Sequence, residues 1–299
     1  MTVLTGVLPI LPTIFAADGD VDEAGTRRVL EDVINSGAHG VVFPGLASEY
    51  DHLTRDERLR MTARLGEWVA GRVPFVIGAS SAGVEDAVRY ADAAARAGAA
   101  AVMVLTPHAL AQDLGAMAAF YARIAESSGL AVMLQNAPAP MGVGLALERV
   151  AELARAVPGI RSVKEEAPPS GQRITRLTLL AGDSLDAVYG GAGARHLMDE
   201  LARGAQGTMP ACEISALHVA MVDAWRSGHE DKARSLYERT LPLLTMQAVF
   251  RWRLTKAVLL RRGLIESDFT RAPGPALDAL DWHELDVMLA RLKDLLPWA

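Results

Sequence analysis

Cysteine is all but missing. Cys212 is the only one in 299 residues, so no disulfide can form within the chain, and a reducing, cytoplasmic compartment fits. Lysine is scarce too: Lys164, Lys232, Lys256 and Lys293 are the four, against 26 arginines. A basic excess is absent as well. The net charge is −6 and the arginines are scattered among acids, which argues against a nucleic-acid surface. No uninterrupted apolar run reaches the roughly 18 residues that a membrane helix needs. The stretch from Val3 to Ala17 is apolar, but Pro9 and Pro12 interrupt it and no Lys or Arg precedes Arg27, so it does not read as a secretory leader. The histidines (His39, His52, His108, His196, His218, His229, His283) show no paired helical spacing with a glutamate, and neither a metal nor a cofactor is expected.

What is present is a large apolar fraction, 51%, arranged as short apolar runs alternating with longer amphipathic ones. Strands are expected at Val7–Thr13, Gly40–Phe43, Pro74–Ile77, Ala101–Leu105, Leu130–Leu134, Ile160–Lys164, Thr178–Ala181 and Ala205–Met209. Helices fall between them. One is announced by Thr54 and Glu57 at capping-box spacing, another ends at Gly98, and a weak one is expected near Gln172–Leu177. Eight strands separated by helices imply parallel crossovers and a closed (β/α)₈ TIM barrel. An open doubly wound sheet competes, but no Gly-rich dinucleotide loop follows the first strand. From Glu213 onward only helices are expected: Glu213–Ser227, Glu230–Leu244, Gln247–Arg262 and Trp282–Leu296. The first closes a catalytic barrel spanning 1–226, and the rest form a C-terminal helical extension, 227–299, packed on the barrel or on another subunit.

Within this pattern Lys164 ends a short alternating run in which Ile160, Ser162 and Lys164 share one face. Pro158-Gly159 precede the run, and Ala167-Pro168-Pro169-Ser170-Gly171 follow it. The lysine therefore arrives at the carboxyl end of a strand, where barrels build active sites. Burial there disfavours the charged amine and leaves a nucleophile for a carbonyl, which arginine cannot supply. A solvated strand-end lysine is the competing reading. Other polar groups are placed at the same end: Ser48 and Glu49 after strand two, Thr106 and His108 after strand four, Gln135 and Asn136 closing strand five, Glu166 after strand six, Asp183 after strand seven, and Thr208 with Met209 in strand eight.

Gly45-x-x-x-Glu49, Asn136-x-Pro138 and Val163-Lys164-Glu165, each closing a strand, are similar to the dihydrodipicolinate synthase/N-acetylneuraminate lyase family over essentially the whole chain. The resemblance implies that Lys164 forms an imine with pyruvate or a longer 2-oxo acid, and that subunits pair into dimers or tetramers. Two departures stand out. Gln135 occupies the place of the family's proton-relaying tyrosine, and Leu46, Ala47 and Ser48 replace a hydroxyl-rich carboxylate loop. Gln135 hydrogen-bonds but exchanges no proton near neutral pH.

Both departures resemble the 2-keto-3-deoxy-L-arabonate dehydratase branch. That branch is matched by Ser48-Glu49, by Gln135-Asn136-Ala137-Pro138-Ala139 with Asn136 in place of an acid, and by Lys164-Glu165-Glu166-Ala167-Pro168. It is matched also by Leu241-Pro242-Leu243-Leu244 and the terminal Pro297-Trp298-Ala299. The resemblance implies a Schiff-base lyase that dehydrates a 2-keto-3-deoxy sugar acid. Lys164, Ser48, Gln135 and Glu49 are the candidate catalytic residues, and Ala47, Asn136, His108, Glu166, Thr208 and Met209 the candidate substrate contacts. Glu49 and Glu166 act either as bases or as groups that orient neighbours, and Asn136 reads better as a residue pinning backbone. His108 reads equally as an ordinary surface residue. Gly190-Gly191-Ala192-Gly193 is either a phosphate cradle or a tight turn, and Trp225, Tyr237 and Trp252 are expected to pack helices. A pyruvate-dependent aldolase or synthase, and a silent barrel binding a 2-oxo acid, are the alternatives.

Overall fold

Runs of small and branched apolar residues such as Ala101-Val-Met-Val-Leu105 favour extended backbone, and burial on both faces makes them nearly continuous in hydrophobicity. The computed structural model describes residues 3–296. Its strands are β1 (Gly6–Val7), β2 (Val41–Phe43), β3 (Phe75–Gly78), β4 (Ala101–Leu105), β5 (Ala131–Asn136), β6 (Ile160–Glu165), β7 (Ala187–Gly190) and β8 (Gly207–Thr208). All pair in parallel, in the order β1-β8-β7-β6-β5-β4-β3-β2. Ile10 bridges to Val42 on one side and to Ala211 on the other, which closes the ring. Leu8, Ile10, Val42, Val76, Met103, Met133, Tyr189 and Met209 fill its interior.

The helices are α1 (Glu23–Asn35), α2 (Arg55–Val69), α3 (Val84–Arg96), α4 (Leu114–Ser128), α5 (Leu147–Ala156), α6 (Ser170–Ala181), α7 (Leu197–Ala202), α8 (Ser215–Arg226), α9 (Glu230–Phe250), α10 (Trp252–Arg261) and α11 (Ala279–Leu292). Thr54 closes the expected capping box on α2, accepting from the Glu57 N–H while Glu57 accepts from its own. The helical tail shares one apolar core with the barrel: Leu197 and Leu217 pack in the same cluster as Leu243, Leu254 and Leu285. Among the described residues no helix is long and apolar enough to cross a membrane.

Four expectations change. Thr178–Ala181 is the last turn of α6, not strand seven: Ile174, Leu177 and Ala181 bury at helical spacing, and Gly182 ends the helix with φ +52°. The true seventh strand is Ala187–Gly190, so Asp183 lies in a turn before that strand, at the end of the barrel away from Lys164. A register shift in β6 pairs Val132 with Ile160 but Met133 with Ser162, so Ile160 packs with the helix-facing core rather than beside Lys164. Finally, α9 runs through Pro242 to Phe250, carrying Leu241–Leu244 within it, and the break falls at Arg251. Pro297-Trp298-Ala299 lie outside the described residues.

Candidate active site

Strand β6 points Lys164 inward, opposite Gln135 on β5 and Tyr189 on β7. The lysine is 1% exposed. Its Nζ lies 3.1 Å from Glu166 Oε1, so the amine is buried together with a carboxylate rather than alone. Gln135 Nε2 donates to Glu166 Oε2 at 2.7 Å, and the Ala192 N–H donates to Glu166 Oε1 at 3.3 Å. Burial by itself pushes the Glu166 carboxyl up. The Lys164 charge and the bonds from Gln135, Lys164 and Ala192 together outweigh it and hold the group below the usual carboxylate value.

The Gly190-Gly191-Ala192-Gly193 segment makes this possible. A Cβ on Gly191 would sit 2.6 Å from Glu166, so only glycine lets the β7 loop close over that carboxylate. The turn reading of this motif fits, with one amide turned to Glu166 rather than to a phosphate.

A cavity of about 130 Å³ opens over the lysine. Ile10, Ala47, Lys164, Glu166 and Met209 line its barrel side, and Arg195, Gln247, Arg251 and Trp252 line the side facing the tail. The lining contains no tyrosine among the described residues. Of the sequence candidates, the structure thus brings together Lys164, Glu166, Ala47 and Met209, with Gln135 behind Glu166.

The others stand apart from the cavity wall. Ser48 is buried, its Oγ donating to the Leu11 carbonyl at 2.5 Å and accepting the Gly45 N–H at 2.8 Å, so its hydroxyl proton is already committed to the backbone. Glu49 accepts from Lys256 Nζ at 2.6 Å and from the Ala272 N–H at 2.7 Å; it fastens the tail to the β2 loop. Asn136 pins Leu145 from both sides and donates to Glu165, which fits the backbone-pinning reading. Thr208 is buried, and its hydroxyl has no hydrogen-bond partner among the described residues. His108 is exposed on a short turn after β4. Among the described residues no three His, Cys, Asp or Glu side chains group to hold a metal.

Sequence reasoning missed Arg195, Gln247 and Arg251, and assigned Trp252 only to helix packing. No local signal marked them: the helix break at Arg251 falls where the sequence has neither glycine nor proline.

The pattern of the dihydrodipicolinate synthetase family matches residues 3–291. The chain is 31% identical to an L-2-keto-3-deoxyarabonate dehydratase of Azospirillum brasilense, across 98% of this chain and 96% of that one. It is 31% identical to a 4-hydroxy-tetrahydrodipicolinate synthase of Stenotrophomonas maltophilia, across 72% and 75%. The fold superimposes with a TM-score of 0.90 on YagE of Escherichia coli K12, a family member crystallised in complex with pyruvate, at 25% identity over 99% and 100% of the two chains. With eight parallel strands, a lysine at the end of the sixth and similarity along its whole length, the chain belongs to the dihydrodipicolinate synthetase family of lyases.

Proposed function

We propose that Lys164 forms an imine with C2 of a 2-oxo acid and that the reaction is dehydration of a 2-keto-3-deoxy sugar acid, carried out by a homo-oligomer in the cytoplasm. The observation that carries this reading is a buried amine 3.1 Å from a carboxylate at the barrel mouth. Transfer of the ammonium proton to Glu166 frees the amine, which adds to the ketone; Glu166 then returns that proton to the carbinolamine hydroxyl, which leaves as water and gives the protonated imine. The imine withdraws electrons from C3, and Glu166 removes a C3 proton to give an enamine. The enamine electrons expel the C4 hydroxyl, which leaves as water on taking that proton back. Hydrolysis then returns Lys164 and releases a 2-oxo acid. Gln135 keeps Glu166 aimed throughout. Backbone N–H groups of the Leu46–Ala47 turn receive the substrate carboxylate, since the Ser48 hydroxyl is engaged elsewhere.

A tyrosine-free lining supports dehydration over aldol chemistry, which needs a proton relay at the new alcohol. The similarity to the Azospirillum dehydratase points the same way. The second reading is a pyruvate-dependent aldolase or synthase, favoured by the likeness to a pyruvate-bound relative. Incubation with 2-keto-3-deoxy acids, and separately with pyruvate plus aldehydes, separates the two by product mass. Loss of one water from a keto-deoxy acid supports dehydration, and products of carbon–carbon bond formation or cleavage alone exclude it.

A further inference from the structure

Among the described residues four ionisable side chains line the Lys164 cavity: Lys164, Glu166, Arg195 and Arg251. Lys164 and Glu166 form an ion pair, which leaves two guanidinium groups. Neither Arg195 nor Arg251 has a carboxylate within ion-pair distance among the described residues. Arg195 Nη1 donates to Gln247 Oε1 at 3.1 Å, and Arg251 lies 5.3 Å from the Trp252 ring centre. The two cations are close enough to oppose each other: burial first, then the Arg251 charge, hold Arg195 below the usual guanidinium value.

The backbone bears a cost for this placement. Arg251 joins α9 to α10 at φ +55°, ψ −125°, a conformation that suits glycine, and an arginine stands there. Across the gap, Gly193 (φ +68°) leaves room for Arg195, since a Cβ there would lie 3.1 Å from Arg195 Nη1. Two elements distant in sequence thus aim like charges into one small cavity, an arrangement that an anion between them would relieve.

We infer that Arg195 and Arg251 form an anion subsite on the tail side of the Lys164 cavity, and that the substrate is a 2-oxo acid bearing a second anionic group at its far end. The inference rests on the reading of Lys164 as the imine former. The first carboxylate stays with the amides of the Leu46–Ala47 turn, and the far-end anion answers the two guanidinium groups, of which Arg195 feels Glu166 and Glu200 only beyond ion-pair distance. Pyruvate carries no second anion for them.

Calorimetric titration with pyruvate, 2-oxoglutarate and a 2-keto-3-deoxy acid ending in a phosphate ester tests this. At least one of the two ligands with a far-end anion should bind about tenfold tighter than pyruvate, and Arg251→Gly or Arg195→Gln should remove that preference while leaving pyruvate binding within about twofold. Arg251→Gly suits the backbone at that position, and an unchanged melting temperature confirms its fold. Preference for the phosphate or for the diacid identifies the far-end group, and either supports the subsite. Equal affinity of wild type for all three overturns it. So does an equal loss for pyruvate and the other two ligands in the variants, which would place the arginines at the first carboxylate. Borohydride trapping run in parallel keeps the two readings apart: a far-end-anion preference without an adduct at Lys164 retains the subsite and rejects the imine.

Discussion

Glu166 takes its position from three donors, Lys164, Gln135 and the Ala192 amide, and among the described residues no other carboxylate lines the cavity. Glu166→Gln keeps the shape and removes the proposed base. Turnover should fall by about 10²- to 10⁴-fold while the borohydride adduct at Lys164 still forms, as read by single-turnover kinetics beside intact-protein mass. Ser48 behaves differently, because its hydroxyl ties the Leu11 carbonyl to the Gly45 N–H. Ser48→Ala should cost about 1–3 kcal/mol in urea unfolding and raise KM more than it lowers kcat. A loss confined to kcat would mean that the hydroxyl handles protons after all. The placement of Lys164 and Glu166 at the barrel mouth was legible in the sequence because a strand closed by prolines allows its last residues few destinations. The hydrogen bonding of Ser48 was not, since it depends on a carbonyl 37 residues away.

Helix α8 carries a buried charge-sensitive group. His218 is 1% exposed, neither ring nitrogen has a hydrogen-bond partner among the described residues, and burial lowers its pKa to about 3. Unfolded, it binds a proton below about 6.5, whereas folded it stays neutral until about 3. Its penalty is therefore absent above pH 6.5 and grows as pH falls toward 3, by on the order of 1 kcal/mol per pH unit. His218→Leu should flatten that acid limb in urea unfolding followed from pH 7 to 4, and an unchanged slope would contradict it. Most other elements were legible from periodicity alone. Strand β7 was not, because Thr178-Leu-Leu-Ala181 reads as well extended as helical, while Ala187–Gly190 is only four residues long and partly glycine. The Arg251 break escaped for the opposite reason: the expected break fell earlier, between Leu244 and Gln247, yet α9 runs on to Phe250.

At the scale of the whole chain, buried and half-buried ion pairs lock the tail to the barrel. Glu49 and Lys256 join the β2 loop to α10 with both side chains fully buried, and Arg271 grips Glu57 of α2 at 2.7 Å. Lys256→Ala leaves the buried Glu49 carboxyl without its ammonium partner. It should cost about 3–5 kcal/mol and, by loosening the segment that presents Arg251 and Trp252, lower catalytic efficiency as well. A melting curve together with steady-state kinetics tests both, and a stable variant with normal kinetics would separate the tail from the site. The barrel and its tail were legible as a whole because eight strand-like runs followed by helices admit few topologies. The tail's share of the cavity was not, because it arises from contacts between segments more than 50 residues apart, such as Arg195 with Gln247.

The most direct measurement is borohydride reduction in the presence of pyruvate or a 2-keto-3-deoxy acid, followed by peptide mapping. The expected result is one adduct per chain, on Lys164 and on none of the other three lysines. An adduct elsewhere, or turnover without any, would contradict imine catalysis at this position.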